Sequence, residues 1–460
     1  MASTAAAANE KRVWILEAES ELRFEVSEKS TVTVMLKANT AEIFGIEMAA
    51  NHEYRFSGAK MAVFSWYGCT LETSGVAESM YVSGETPMKS YVQTHAHLEG
   101  KRDVALQRLQ AGNSGVSGPR VMVVGPTDSG KSTLANIFTA YAVRLGRTPI
   151  YVDLDVGQGQ ITVPGVIAAA AMDTNSLSIE EGFSLTAPLV FYYGHTNLNE
   201  NPELFKHLVG HMAECVNQRM LNDKDTNASG LVINTCGWVE GLGLELLLDA
   251  IQVLMVDVVL VMGHDRLYAN LAACLPSDRV VVVKLPRSDG VVQRDQRHRR
   301  MARSRRIRQY FYGGGGGGEG GGANGGATAT LSPSMLDIKF SDVRVCRVGG
   351  AGVSDAMLPV GQDHSMLGPK QVNMVHPSLD LQHSLLAVCH PTKMEGHLQG
   401  RMAEGADSAE AGQELLNSNT AGFLYVTDVD MERRRLTVLS PCPGALPGHY
   451  LLAGSIKWIE

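Results

Sequence analysis

Over the first hundred or so residues, apolar and polar positions alternate in short runs, at Arg23–Val26, Thr31–Leu36 and Met61–Trp66. Alternation sends successive side chains to opposite faces of a sheet, so each run predicts a strand with one buried face. Turn-forming clusters at Asn51-His52 and Ser57-Gly58-Ala59 separate the runs, which predicts a small β-sandwich closing near Gly84. From Met88 the period becomes helical and passes through Leu98 and Val104 to Leu109, after which Ala111–Gly115 reads as a linker. Residues 1–112 are thus expected to form an N-terminal β-domain. It shows no catalytic signature, and its role reads as packing or partner binding.

Beyond the linker the apolar runs become nearly continuous: Val121–Val124, Ile150–Leu154, Gly230–Asn234, Asp257–Val261 and Val280–Val283. Helical patterns lie between them, notably Pro202–Met220 and Leu242–Met255. Such strands, apolar on both sides, imply a parallel sheet covered by helices on both faces. This predicts an α/β domain over residues 113–312. The longest apolar stretch, Leu246–Met262, is broken by Asp249, Gln252 and Asp257, and reads as a buried helix followed by a strand rather than a membrane span.

Gly313–Gly326 carries almost no side chains, so residues 313–330 are expected to be a flexible tether. New β-patterned runs at Met335–Phe340, Val343–Val345, Gly422–Val426 and Leu436–Leu439 then predict a C-terminal β-rich domain over 331–460. A polar insertion at about 395–419 interrupts it and is expected to be disordered. The fold class expected is therefore α/β, a central P-loop NTPase-type parallel sheet flanked by an N-terminal β-sandwich and a C-terminal β-rich domain.

Composition narrows the partners. With 460 residues, 44% hydrophobic and 19% charged, the chain has material for several cores. A net charge of −8 excludes a general polycation, so any polyanion must be held by a local basic region. The seven cysteines are scattered, odd in number and form no C-x-x-C pair, which suits a reducing compartment and offers no zinc signature. Met1–Asn9 lacks the apolar core of a secretory signal, and a disordered tip is expected there. The expectation is a soluble intracellular protein without membrane partners.

The strongest chemical signal is Gly125-Pro126-Thr127-Asp128-Ser129-Gly130-Lys131-Ser132-Thr133, a G-x-x-x-x-G-K-[ST] loop between the apolar run and a helix-forming stretch. Its backbone N–H groups can wrap a phosphate chain at the positive end of the helix. Lys131 supplies charge for the β- and γ-phosphates, and the Ser132 hydroxyl is placed to ligate Mg²⁺. The chain is expected to bind a nucleoside triphosphate.

Asp153 and Asp155 end the next apolar strand and share one side of it. Either can hold Mg²⁺ through water or accept a proton from an attacking hydroxyl, and Asp155, heading Asp155-Val156-Gly157-Gln158-Gly159-Gln160, is preferred. Gln158 is a candidate to orient a phosphate or nucleophile; for Gln160 a turn role serves equally well. Asn222-Asp223-Lys224-Asp225 has the wrong order for a guanine motif, which argues against a GTPase. Eight arginines lie between Arg294 and Arg308, too many for one helix face. Arg294 and Arg297 are expected to act as a lid over the transferring phosphoryl group, the others as a solvated basic helix or import patch. Trp238, after the strand ending at Asn234, reads equally as a base-stacking platform or as core, and Thr196 could grip a substrate phosphate.

These pieces together resemble the eukaryotic RNA 5′-hydroxyl kinase family of the pre-mRNA 3′-end cleavage complex, also associated with the tRNA splicing endonuclease. The resemblance spans nearly the whole chain and rests on Leu22–Val26, Ala41–Gly45, Gly58-Ala59-Lys60, Gly125–Thr133, Leu154–Gln158, Asn234–Trp238, Gln309–Gly313 and the strands after Leu439-Ser440-Pro441. It implies an enzyme that transfers the γ-phosphate of ATP to an RNA 5′-hydroxyl end with Mg²⁺ on Ser132 and Asp155. Asp155 would be the base, Asp128–Thr133 would hold the phosphates, and Arg294 and neighbours would form the lid. Glu21 and Lys60 would hold the adenine nucleotide, while Trp238 and Thr196 would contact the terminal nucleotide. It further implies a nuclear protein whose partners include a cleavage factor II subunit, other 3′-end processing proteins and, in tRNA splicing, the endonuclease. The alternative within the family is a catalytically silent, ATP-bound scaffold; the presence of Lys131, Ser132, Asp155 and Arg294 favours activity.

Three departures from the family pattern stand out. Thr196-Asn197-Leu198 replaces the usual Thr-Thr-Pro, which weakens the case for contacts beyond Thr196. Ser288-Asp289-Gly290 replaces Ser-Gly-Gly and brings a carboxylate toward a phosphate route. The glycine tether and the polar insertion are longer than the family needs.

Overall fold

The computed structural model describes residues 11–113, 115–180, 182–183, 187–313, 331–349, 368–390 and 412–459. The expected disordered tip, nearly all of the glycine tether and the larger part of the polar insertion lie outside the described residues.

The alternating N-terminal runs form two facing sheets. One pairs Arg12–Leu16, Cys69–Gly75, Val32–Asn39 and Glu53–Phe56 in that order; the other orders Ile46–Glu47, Glu42–Ile43, Lys60–Ser65, Ser20–Glu25 and Ser79–Ser83. Their inward positions, including Leu22, Val34, Leu36, Val63 and Leu71, close a core between the layers. The helix Met88–Gln110 follows, and its buried Met88, Tyr91 and Leu98 pack with Val121, Phe138 and Leu260 of the central domain. In packing it belongs to that domain, although in sequence it continues the sandwich. The Tyr91 hydroxyl donates to the Pro286 carbonyl and Arg102 Nε to the Ser229 carbonyl, which tie it down.

The central sheet has seven strands in the order Leu189–Tyr192, Val166–Ala171, Ile150–Asp153, Leu231–Asn234, Arg120–Val124, Val258–Met262 and Val281–Leu285. The last five run parallel, whereas the first two pair antiparallel at one edge. The continuous apolar pattern does not distinguish the two directions, and the short Val166–Ala171 run carries no signal for reversal. Lys131–Arg144 and Met88–Gln110 cover one face; Pro202–Asn222 and Leu242–Val253 cover the other. Among the described residues no helix is long and apolar enough to cross a membrane.

The C-terminal domain is a seven-stranded, mostly antiparallel sheet. Part of its core is shared with the central domain: Val166, Tyr192, Ile307 and Phe311 pack with Leu385, Phe423, Leu452 and Trp458. The rings of Phe311 and Trp458 stack nearly parallel, at 9°, with centroids 6.0 Å apart. This anchors the far end of the arginine-rich helix. Residues 412–419 correct the expectation of a disordered insertion at its C-terminal end. Leu415 and Leu416 there are buried, and Asn419 Oδ1 accepts from the Val190 amide, so these residues cover the antiparallel sheet edge.

Candidate nucleotide and phosphoryl-transfer site

The C-terminal ends of the parallel strands open into a cleft of about 770 Å³, walled by the phosphate loop, by stretches at 155–160, 196–198, 236–238 and 288–303, and by the N-terminal sandwich. The phosphate loop lies at its floor. Gly130 adopts φ +90° at the helix start, a left-handed conformation that suits glycine. Asp128 is left-handed as well, at φ +55°. Lys131 is buried, and its ammonium donates to the Pro126 carbonyl at 2.8 Å. Burial lowers its pKa, while Asp155 pulls in the opposite direction. The Ser129 hydroxyl is buried with no hydrogen-bond partner, so the loop, whose residues Thr127–Thr133 line the cleft, carries an unused donor. The donor set and the unsatisfied hydroxyl fit a phosphate chain.

Asp155 sits opposite, at the end of its strand. Its Oδ1 accepts from the amides of Gly157 (3.0 Å) and Gln158 (3.1 Å). Burial pushes its pKa up, and the Lys131 ammonium and those amides pull it back. Asp153 does not line the cleft. It accepts from the amides of Asp155 and Gln160 and from Asn234 Nδ2, and thereby shapes the loop around Asp155. Asn234 Oδ1 in turn accepts from Ser132 Oγ at 3.2 Å. Among the described residues no group of three or more His, Cys, Asp or Glu side chains is poised for a metal. A Mg²⁺ that keeps several waters and takes one hydroxyl and phosphate oxygens needs no such cage.

The lid helix Gln296–Tyr312 crosses above the loop. Arg294, Arg299, Arg300 and Arg303 line the cleft. Arg297 does not and is exposed, which corrects its expected lid role. Helical period explains this: 296, 299/300 and 303 share a face, and 297 is rotated by about 100° from 296. The Asp128 carboxylate accepts from the Arg294 amide at 2.9 Å and pairs with the Arg299 guanidinium at 2.8 Å. Farther along, Arg305 donates to the Gly58 carbonyl at 2.9 Å and pairs with Glu28, bracing the lid on the sandwich.

On the sandwich side Lys60 lines the cleft and pairs with Glu25 at 2.5 Å. Glu21, expected to face the nucleotide, is instead buried beneath Arg23, with which it forms an ion pair, and it also accepts from Thr86 Oγ1. Arg23, Phe44 and Tyr81 face the cleft in its place. Strand alternation could have flagged Arg23, since Glu21 and Arg23 share a face and the residue nearer the strand end reaches farther into the cleft. Gln158, Thr196, Trp238 and Thr133 all line the cleft. The Trp238 ring is half-buried, with Gly243 under it: a Cβ there would come within 2.6 Å of the indole. Gly125 sits behind the loop, where a Cβ would meet Ser129 Oγ at 2.8 Å. Asp289 is exposed and does not line the cleft, so its carboxylate stays off the phosphate route.

A phosphate loop, an opposed carboxylate and an arginine-bearing lid on a parallel sheet define a P-loop nucleotide-binding protein of the kinase type. The family model described as mRNA cleavage and polyadenylation factor CLP1 P-loop matches residues 125–313. That of the N-terminal beta-sandwich domain of polyadenylation factor matches 15–105, and that of the pre-mRNA cleavage complex II protein Clp1 matches 331–460. The chain belongs to the Clp1 family. It is 42% identical over 446 residues to the polyribonucleotide 5′-hydroxyl-kinase Clp1 of Homo sapiens, covering 97% of this chain and 96% of that protein. It is 41% identical over 458 residues to the protein CLP1 homolog of Nematostella vectensis, covering 99% and 98%. The fold matches that of the wild-type Clp1p–Pcf11p complex structure with a TM-score of 0.78 at 24% identity, over 98% of this chain and 99% of that one.

Proposed function

We propose that this protein transfers the γ-phosphate of ATP to the 5′-hydroxyl of RNA. The observation that carries the reading is the placement, in one cleft, of Lys131 on the phosphate loop and the half-buried Asp155 carboxylate, beside Thr196 and Trp238. Family membership and the names of the relatives at about 42% identity support the same reaction.

In this reading the loop amides and Lys131 hold the triphosphate and neutralise charge that develops on the transferring group. Lys131 must leave the Pro126 carbonyl to do so. Asp155 accepts the proton of the attacking 5′-hydroxyl, and its burial raises its basicity for that step. Mg²⁺, held by Ser132 and through water by Asp155, would supply Lewis-acid neutralisation of the phosphate oxygens. Arg294 and Arg299 cover the phosphoryl group, Trp238 stacks on the terminal base, and Thr196 and Gln158 orient the RNA end. Arg23 and Lys60 hold the nucleotide from the sandwich side.

The proposed setting is the nucleus, in 3′-end processing of pre-mRNA, with a cleavage factor II subunit as partner; the tRNA splicing endonuclease is a second proposed partner. The family descriptions and the Clp1p–Pcf11p structure support the first of these.

The test supplies purified protein with γ-labelled ATP and a short RNA bearing a 5′-hydroxyl. Wild type is expected to label the RNA, while Lys131→Ala and Asp155→Asn are not. Wild type that binds ATP but labels no RNA would leave the scaffold role in place of the kinase.

A further inference from the structure

The loop that carries Thr196 is not held by the central domain alone. It leaves the antiparallel edge strand Leu189–Tyr192 and turns at Gly194, whose φ of +84° is left-handed. Here the C-terminal strand Tyr450–Lys457 lies against it. The Ser455 amide donates to the Gly194 carbonyl at 2.8 Å, and the Ser455 hydroxyl is 2.8 Å from His195 Nδ1. Backbone meets backbone with no side chain between: a Cβ on Gly454 would lie 2.0 Å from the Gly194 carbonyl oxygen. His195 is 3% exposed and Ser455 is exposed on its other side, so one polar contact seats an otherwise sealed imidazole.

The next residue in the chain is Thr196, which faces the cleft. Its carbonyl abuts Gly157, where a Cβ would approach to 3.1 Å. The Gly157 amide is one of the two donors on Asp155 Oδ1. The contact sequence therefore runs from Ser455 through Gly194 and His195 to Thr196, then to Gly157 and Asp155. The C-terminal domain supplies no described lining residue itself, since each lies between Arg23 and Arg303; its other approach is at the lid, where Trp458 Nε1 donates to Ser304 Oγ.

The geometry points to Ser455 and His195 as positioning residues for the RNA 5′ end: the C-terminal domain sets the position of Thr196 and so the alignment of the 5′-hydroxyl with Asp155. The inference rests on the kinase reading above. It gives the C-terminal domain a share in substrate alignment, though it contributes no group to the reaction. Ser455 touches the Thr196 loop, whereas the C-terminal domain reaches the lid through a different residue, Trp458 on Ser304 and Phe311, so the Ser455 contact governs RNA and not ATP.

Steady-state kinetics of the full chain test this, with ATP and a 5′-hydroxyl RNA varied independently. Ser455→Ala removes one hydroxyl at an exposed position, and a roughly fivefold rise in KM for RNA with KM for ATP unchanged is expected. Ser455→Thr keeps a hydroxyl in a strand that favours β-branching and is expected to restore KM for RNA. Gly454→Ala should raise it further, with ATP binding retained. Unchanged KM for RNA in Ser455→Ala, equal rises for both substrates, or no rescue by threonine would overturn the inference. Failure of wild type to label RNA would instead overturn the kinase reading.

Discussion

Asp128 in the phosphate loop holds the lid: one carboxylate oxygen accepts both from the Arg299 guanidinium at 2.8 Å and from the Arg294 amide at 2.9 Å. The carboxylate at 12% exposure and the guanidinium at 28% place this pair well inside the cleft. Asp128→Asn keeps a residue type that tolerates the left-handed φ while removing the charge. Loss of the charged component costs about 1 kcal/mol, so kcat should fall roughly fivefold with little change in KM for ATP. Equal effects on both parameters would assign Asp128 to nucleotide binding alone.

The arginines of the lid separate by whether they face the cleft. Arg294→Ala and Arg299→Ala should each lower turnover by about tenfold or more relative to Arg297→Ala, whose side chain points away from the cleft. Measured kcat at saturating ATP and RNA checks this. Turnover lost equally in all three would mean that only the overall charge of the helix matters.

Trp238 rests on Gly243 with a face toward the cleft. Trp238→Ala should weaken RNA binding by about 1–3 kcal/mol, the range for loss of one base stack, and leave ATP binding intact. Titration with a fluorescently labelled 5′-hydroxyl RNA measures it. Gly243→Ala should act in the same direction, since its Cβ would push the indole out of place.

His95 gives a pH signature of stability rather than of catalysis. It lies between Phe138 and Tyr141, both ring nitrogens lack partners, and burial lowers its pKa to about 4. Its folded pKa is thus below the unfolded value of 6.5, so the unfolded chain binds the proton first as pH falls. The contribution is complete above pH 6.5 and is lost progressively down to about pH 4. Between pH 7 and pH 5 the loss is about 2 kcal/mol. Denaturant unfolding of wild type and His95→Phe over that range should show a pH-dependent difference of this sign; parallel curves would exclude it.

Much of this protein was legible in contiguous residues. The path of the phosphate loop is local: two glycines with four residues between them, a lysine and a hydroxyl set the anion cradle without help from elsewhere. The apolar strands and the alternating runs at both ends likewise announced three β-containing units around one covered sheet, because periodicity is a property of neighbours in the chain. The whole-length resemblance named the reaction class. Sequence alone did not decide which side chains meet in the cleft. Strand direction at the Val166–Ala171 edge, the burial of Glu21 under Arg23, and the exchange of Arg297 for Arg299, Arg300 and Arg303 all depend on how separate elements dock. So does the seating of the Thr196 loop on Ser455, residues far apart in the chain that touch only because Gly194 and Gly454 let two backbones close to contact. The phosphate loop was written in one stretch of nine residues; the cleft that gives it a substrate exists only once the N-terminal sandwich and the lid have packed against the central domain.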